Sequence, residues 1–306
     1  MHSALLAVTC AATSIVLPLR QFPDLPTAEI ERITGLKGTM NDAEHVFKVS
    51  APRTDIPVKV EGRTLEPFMG LTSWAAFTPG GKAPVMVMGD LVLFQDEVNP
   101  VMSAALDHGM AVTAVHNHFF YADPPVFFMH IAGEGAAEDL ASGVRAALDA
   151  SRAVRAKSSV PGPSAASSAV PSKNSIAAEP LDRILATKGM AKDGMYKAVF
   201  GRETSMACGC TAGKEMGVNT WAAFAGEPDN ALVDGDFVTF ESELQPVLKA
   251  LRKADINIVA IHNHMEGETP KAIFLHYWSR GRAEDLAKGV KSALDAQASA
   301  KSSPSR

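Results

Sequence analysis

The chain repeats itself with a fixed step. Val115-His116-Asn117-His118, followed by His130, returns as Ile261-His262-Asn263-His264, followed by His276. All three histidines move by 146 positions, and six of the nine histidines in the chain sit in these two clusters. Two long copies must build two similar units, each with its own apolar interior, whereas a solenoid needs three or more short ones.

The repetition extends well beyond the histidines. Thr72 to Phe77 returns as Asn219 to Phe224, with Trp74 matching Trp221. Gly89-Asp90-Leu91-Val92 returns as Gly235-Asp236-Phe237-Val238, and Glu97, Pro100 and Val101 return as Glu243, Pro246 and Val247. Glu138 to Ala141 returns as Glu284 to Ala287. The expected organisation is one repeat over 23–150 and a second over 181–298, packed on each other. The Ser-, Ala- and Pro-rich stretch 151–180 reads as a flexible linker, and 299–306 as a disordered tail.

Hydrophobic spacing predicts the elements. Leu244, Val247, Leu248 and Leu251 share one helical face over 243–254, and Leu286, Val290 and Leu294 share another. Thr220 to Ala225 and Ala231 to Phe240 are apolar runs separated by the turn cluster Gly226 to Asn230. Asn257 to His264 is β-branched and apolar, and Lys271 to Trp278 follows as a second strand. The fold class is α+β: two homologous repeats, each a mostly antiparallel sheet with helices packed on one face.

Imidazole is the commonest protein ligand for transition metals, and His-x-His on a strand sends both rings to one face. His276 joins His262 and His264 only if the hairpin pairs it in even register. Pairing with Ala260 satisfies this, and a one-residue slip reverses it. Glu268 follows His264 by four residues, so repeat two offers His262, His264, His276 and Glu268, with Glu268 as fourth ligand or general base. Repeat one offers His116, His118 and His130, but Ala122 stands where Glu268 would be, with Asp123 beside it. Three nitrogens and a carboxylate suit Zn, Mn, Fe or Cu, and ligand type alone does not choose among these divalent metals. The alternative is that the histidines are core or turn residues with hydrogen-bonded rings.

Other repeated polar residues have structural readings. Glu97 and Glu243 open helices, where a carboxylate favours the positive end of the dipole. Asp90 and Asp236 follow glycine and read as turn residues. Trp74 and Trp221 read as core anchors. Cys208 and Cys210, with Met206 nearby, offer either a soft-metal site or two small residues in a Gly-rich turn. The net charge of −5 and a pI near 6.0 speak against nucleic acid as a partner. Residues 1–22 carry an apolar run, Ala4 to Pro18, too short for a transmembrane span and similar to an export signal. A periplasmic or secreted location is expected, with a trimmed cytoplasmic start as the alternative.

Gly-Asp-x-Val, Glu97/Pro100/Val101 with its partner Glu243/Pro246/Val247, Ala-x-His-Asn-His and a later histidine together resemble a bacterial family. It is named after the mycobacterial lipoproteins LppY and LpqO. The likeness covers about residues 26 to 150 and 180 to 297. Its usual His-Asn-His-x3-Glu pattern is met by His262, His264 and Glu268 and broken at Ala122. Members are often exported; the resemblance implies fold and boundaries but no reaction. The functional expectation is an exported metal-binding protein with a three-histidine site in repeat two, used as a metal-dependent hydrolase or oxidoreductase. The alternatives are a cell-envelope metal carrier and a structural or glycan-binding module. The ligand would be a cell-envelope component or a small molecule.

Overall fold

Alternation of small or apolar residues with polar ones builds the sheet. The strand Asn219–Glu227 buries Thr220, Ala222 and Phe224 on one side and turns Trp221 and Ala223 to the other. A computed structural model describes residues 24–162 and 169–301. Repeat one runs through helix α1 (Thr27–Thr34), strands β1 (Gly38–Asn41) and β2 (Val46–Pro52), and the short β3 (Lys59–Val60) and β4 (Arg63–Thr64). It continues with β5 (Thr72–Pro79), β6 (Val85–Phe94), α2 (Val98–Asp107), β7 (Ala111–His116), the short β8 (Ala122–Asp123), β9 (Val126–Gly135) and α3 (Ala137–Lys157). Repeat two opens with α4 (Ala178–Leu185), β10 (Met190–Lys192), β11 (Met195–Gly201) and the short β12 (Thr204–Ser205) and β13 (Thr211–Ala212). It closes with β14 (Asn219–Glu227), β15 (Asn230–Phe240), α5 (Leu244–Lys253), β16 (Asn257–His262), β17 (Ala272–Gly281) and α6 (Ala283–Lys301).

Six long strands from each repeat join in one antiparallel sheet, in the order β1-β2-β5-β6-β9-β7-β16-β17-β15-β14-β11-β10. The seam between the repeats is β7 against β16, where Ile261 pairs with Val115. Two amide side chains extend the ladder there. Asn99 of α2 donates to the Ile258 carbonyl at 3.2 Å and accepts from its N–H at 2.8 Å. Gln245 of α5 does the same for Val112, at 2.9 and 3.0 Å. Asn99 and Gln245 occupy matching places in the two copies, so the seam obeys the same twofold relation as the sequence. Each amide satisfies a backbone N–H and C=O that the single strand pair leaves open.

The helices cover one face of the sheet and share a core that draws on both repeats, from Ile30, Phe77, Leu106 and Val144 to Phe224, Leu248, Tyr277 and Val290. The opposite face carries two smaller apolar clusters. Val58, Leu65, Leu71, Phe94 and Phe128 form one; Ala212, Val218, Val238 and Phe274 form the other. Loops 53–71 and 202–218 lie over this second face, and it is the face that receives the histidines.

Glu97 and Glu243 stand at the N-caps of α2 and α5, as expected, and also anchor buried arginines. Both are buried, and each takes a two-point arginine contact: Arg202 reaches Glu243 at 2.8 and 3.0 Å, and Arg53 reaches Glu97 at 2.6 Å through both nitrogens. Glu243 also accepts the Phe240 N–H at 2.9 Å and the Gln297 amide at 2.9 Å. Burial alone would push the Glu243 carboxyl up, but the Arg202 contact and the two N–H donors hold it below the usual carboxylate range. The pair fastens the covering loop to the β15–α5 corner.

Several boundaries shift. Helix α3 continues to Lys157, so 151–157 is helix rather than linker, and α6 continues past Ser299 to Lys301. Part of the expected linker is bonded to repeat two: Ile176 is buried, and Ser175 and Ile176 donate N–H to Gly226 and Gly194 at 2.9 and 2.8 Å. Residues 1–22, with Cys10, and 163–168 and 302–306 lie outside the described residues. Among the described residues no helix is long and apolar enough to cross a membrane.

Candidate metal centre

The decisive register is the one that brings His276 to the right side. Ala260 of β16 pairs with His276 of β17, and Ala114 pairs with His130 in repeat one. A bulge between Ile258 and Ala260, matched between Val112 and Ala114, precedes each pairing. His262 ends β16 and His264 stands just beyond it, so the strand argument covers His262 and the loop carries His264. The rings nevertheless gather: His262 lies 4.7 Å from His276 and 5.0 Å from His264 between centroids. In repeat one the corresponding separations are 5.1 and 5.2 Å.

A phenylalanine holds the loop histidine flat. Phe274, paired with His262, stacks on His264 at 3.5 Å and 9°. Phe128 does the same for His118 at 3.4 Å and 6°. Packing therefore fixes the planes of these two rings.

The carboxylate in this site is Asp236, contrary to its reading as a turn residue. Asp236 lies inside β15, opposite His276 on one side and Trp221 on the other. Its Oδ2 is 3.5 Å from His264 Nε2, and its Oδ1 is 4.0 Å from His276 Nδ1. Asp236, His262 and His264 each offer a ligand atom, all within 4.8 Å of one another. Repeat one holds Asp90 opposite His130 in the same way, but forms no such three-residue group among the described residues. There His130 Nε2 and His116 Nε2 hydrogen-bond each other at 3.0 Å.

Glu268, expected as fourth ligand or base, is not one of the three residues in this group. It is buried, and its Oε1 accepts the Ala272 N–H at 3.0 Å, tying down the loop that enters β17. Neighbouring Thr269 is bridged to Ser205 of the covering loop. In repeat one the matching Ala122 and Asp123 form β8 and pair with Val60 and Lys59, so a backbone ladder replaces the carboxylate there.

Burial dominates the electrostatics. It pushes the Asp236 carboxyl up, against the pull of His276, His264 and His262, and it pushes the His264 imidazole down, against the pull of Asp236. Asp90 and His118 shift in the same directions for the same cause. Asp236 Oδ1 and His262 Nε2 are both buried and have no hydrogen-bond partner among the described residues. Buried ligand-type atoms are ordinarily paired. A divalent cation satisfies both without needing a proton and reverses the drift toward neutral groups. The donor set of one carboxylate and two or three imidazoles therefore fits such an ion.

The glycine before each aspartate has a steric cause. A Cβ on Gly235 would stand 2.3 Å from the Tyr277 ring and 2.4 Å from the Trp221 carbonyl, which receives the Tyr277 hydroxyl at 2.9 Å. Trp74 and Trp221 are not core anchors. They lie on the open face under lysines, Lys48 at 4.3 Å and Lys197 at 4.2 Å from the ring. Beside Asp236 and His264 opens a cavity of about 440 Å³, walled by Lys197, Lys214, Glu215, Asn219 and Trp221. Asp236, Phe274 and this cavity wall were missed from the sequence. The signal for the first two was available, since Asp90 and Phe128 recur at the same 146-residue step as the histidines. Cys208 and Cys210 are exposed free thiols, with Sγ atoms 2.6 Å apart in the covering loop.

Comparisons add family but no chemistry. No curated protein matches the chain significantly. Among solved structures, the trimeric bacterial microcompartment shell protein PduB covers 85% of this chain and 89% of its own, at 13% identity and a TM-score of 0.20. The fused permuted hexameric shell protein MSM0275 from the RMM microcompartment covers 72% and 83%, at 15% identity and a TM-score of 0.21. EtuB from Clostridium kluyveri covers 86% and 90%, at 10% identity and a TM-score of 0.20. Likenesses at that level carry no argument. One family model matches twice, over residues 28–150 and 179–296, and so spans most of the chain. The protein belongs to the family described as Domain of Unknown Function (DUF1259), which it contains as two fused copies.

Proposed function

We propose that this protein is a metal-dependent enzyme, a hydrolase or oxidoreductase, whose working centre lies in repeat two. Asp236, His262 and His264 would hold a divalent Zn, Mn, Fe or Cu ion, with His276 as the fourth donor. One observation carries the reading: Asp236, His262 and His264 bring ligand atoms within 4.8 Å of one another, and two of these residues each keep a buried atom without a hydrogen-bond partner among the described residues, Asp236 Oδ1 and His262 Nε2. A histidine kept only for packing would be expected to pair its ring nitrogens. An ion there supplies Lewis acidity and lowers the pKa of a coordinated water. Asp236 balances charge and orients His264, while Phe274 holds that ring in plane. The cavity reaching Asp236 and His264 favours catalysis over storage, because a catalytic site keeps an open position whereas a structural one is closed.

The residues 4–18 run and the resemblance to the LppY/LpqO lipoproteins support export. A carrier in the cell envelope is the second reading, favoured by the two exposed thiols Cys208 and Cys210. Elemental analysis after dialysis tests the proposal. One tightly held ion per chain is expected, and it should be lost from the double variant His262→Ala/His264→Ala and kept in His116→Ala/His118→Ala. Wild-type protein with no stoichiometric metal would remove both metal readings, leaving the structural or glycan-binding module.

A further inference from the structure

We infer that the cavity beside Asp236 is an oxyanion subsite, and that the substrate carries a phosphate or carboxylate group gripped by Lys197 and Lys214. The inference rests on the metal reading only for where the reacting end of that substrate would sit. The chain as a whole is acidic, with a net charge of −5, yet two lysines, Lys197 and Lys214, line this cavity together with Glu215 and the candidate ligands Asp236 and His264. Lys197 holds its ammonium 4.2 Å above the Trp221 ring, which orients the cation without neutralising it. Lys214 sits on a short turn, Lys214–Met216, ended by Gly217 at φ 84. The turn is pinned where Asn219 Nδ2 donates to the Lys214 carbonyl at 2.7 Å. Its ammonium meets only Glu215 among the described residues, at 3.7 Å, and that carboxylate is 91% exposed. Such a surface pair is weak and easily exchanged for a ligand.

The two repeats differ at this wall. Repeat one keeps Lys48 over Trp74. Where repeat two has Lys214 and Glu215, repeat one has Pro67 and Phe68 on the matching turn Pro67–Met69, which Gly70 ends at φ 102, and Thr72 at the start of β5 stands for Asn219. The second cation thus occurs in the repeat whose aspartate and histidines form a ligand cluster. A divalent ion and two ammonium groups around one cavity attract an anionic group and repel a cationic one. The cavity of about 440 Å³ suits a small molecule rather than a polymer end.

Isothermal titration with inorganic phosphate and with succinate, each against metal-free and zinc-loaded protein, tests the inference. At least one anion should bind. Lys214→Met and Lys197→Met should each weaken it by about tenfold and the double variant by more, while zinc stoichiometry and the melting temperature stay unchanged; Lys48→Met should have no effect. Saturation by phosphate alone points to a phosphoester substrate, and by succinate alone to a carboxylate. Equal anion affinity in wild type and double variant, or no binding of either anion to zinc-loaded protein, overturns the inference. Should zinc itself fail to bind, the metal reading falls separately, and the lysines are judged on the metal-free titration by the same criterion.

Discussion

Repeat one and repeat two hold the same three histidines, the same aspartate and the same stacked phenylalanine, yet their inner edges meet differently. In repeat one, His116 and His130 share a hydrogen bond at 3.0 Å. In repeat two, His262 Nε2 has no hydrogen-bond partner among the described residues, and His262 belongs to the group with Asp236 and His264 whose ligand atoms lie within 4.8 Å of one another. The loop after the His-Asn-His motif differs too. Repeat one zips it to β3 through Ala122 and Asp123; repeat two anchors it with Glu268. Duplication preserved the frame: Asp90 Oδ1 is as buried and unpartnered as Asp236 Oδ1, and the copies differ in the histidines, which pair with each other in repeat one and join the aspartate in a ligand group in repeat two. Glu268 shows that a carboxylate four residues after a histidine can tie down a loop, a role that motif spacing does not announce.

The comparison can be broken by substitution, and the largest effect is expected at the ligands. Asp236→Asn should lower metal affinity by more than the roughly 10–100-fold typical of losing an outer-shell partner, measured by competition with a chelator. Asp90→Asn should change it little. Equal losses would mean that both copies bind. Metal affinity should also fall with decreasing pH, because imidazole must be deprotonated to ligate.

Next come the buried ion pairs, which test whether the two frames are equally stable. Glu243→Ala and Glu97→Ala should each destabilise by about 3–5 kcal/mol, since Arg202 loses its carboxylate in the first and both Arg53 and Arg155 lose a buried one in the second, Arg53 keeping the more exposed Asp55. Because the folded Glu243 carboxyl lies below its unfolded value, its stabilisation is complete above the unfolded pKa. It disappears as pH falls through the lowered folded value. Urea midpoints from neutral to acidic pH should therefore converge between wild type and Glu243→Ala only at the acidic end.

The seam should give smaller and nearly equal effects. Asn99→Leu and Gln245→Leu each strand one backbone N–H and one C=O, at about 1–3 kcal/mol. A large inequality would show that the twofold relation at the seam is broken. Smallest of all, Glu268→Gln should keep metal affinity within a few fold, because the amide oxygen can still accept from Ala272. A collapse of binding in that variant would return Glu268 to the ligand set.

Much of the fold was legible in the sequence. Helix α5 and strands β14 to β17 follow from apolar spacing; the register that pairs His276 with Ala260 is one of two that alternation allows, and the hairpin decides it. The short strands of the covering loops carry too few residues for any period to register. Asp236 escaped because glycine followed by a polar residue suggests a turn. The Tyr277 ring that makes Gly235 necessary is supplied by a strand some forty residues away. The lysines of the cavity wall are ordinary surface residues until the sheet sets β11 next to β14, across which Lys197 and the Lys214 turn share a cavity with Asp236 of β15. Such cross-strand proximity is absent from local pattern.

The central claim concerns where an ion would sit. Crystals grown with zinc and measured at its absorption edge test it most directly. An anomalous peak bonded to Asp236, His262 and His264 is the result expected. A peak confined to repeat one or to Cys208 and Cys210, or none at saturating zinc, would contradict the account.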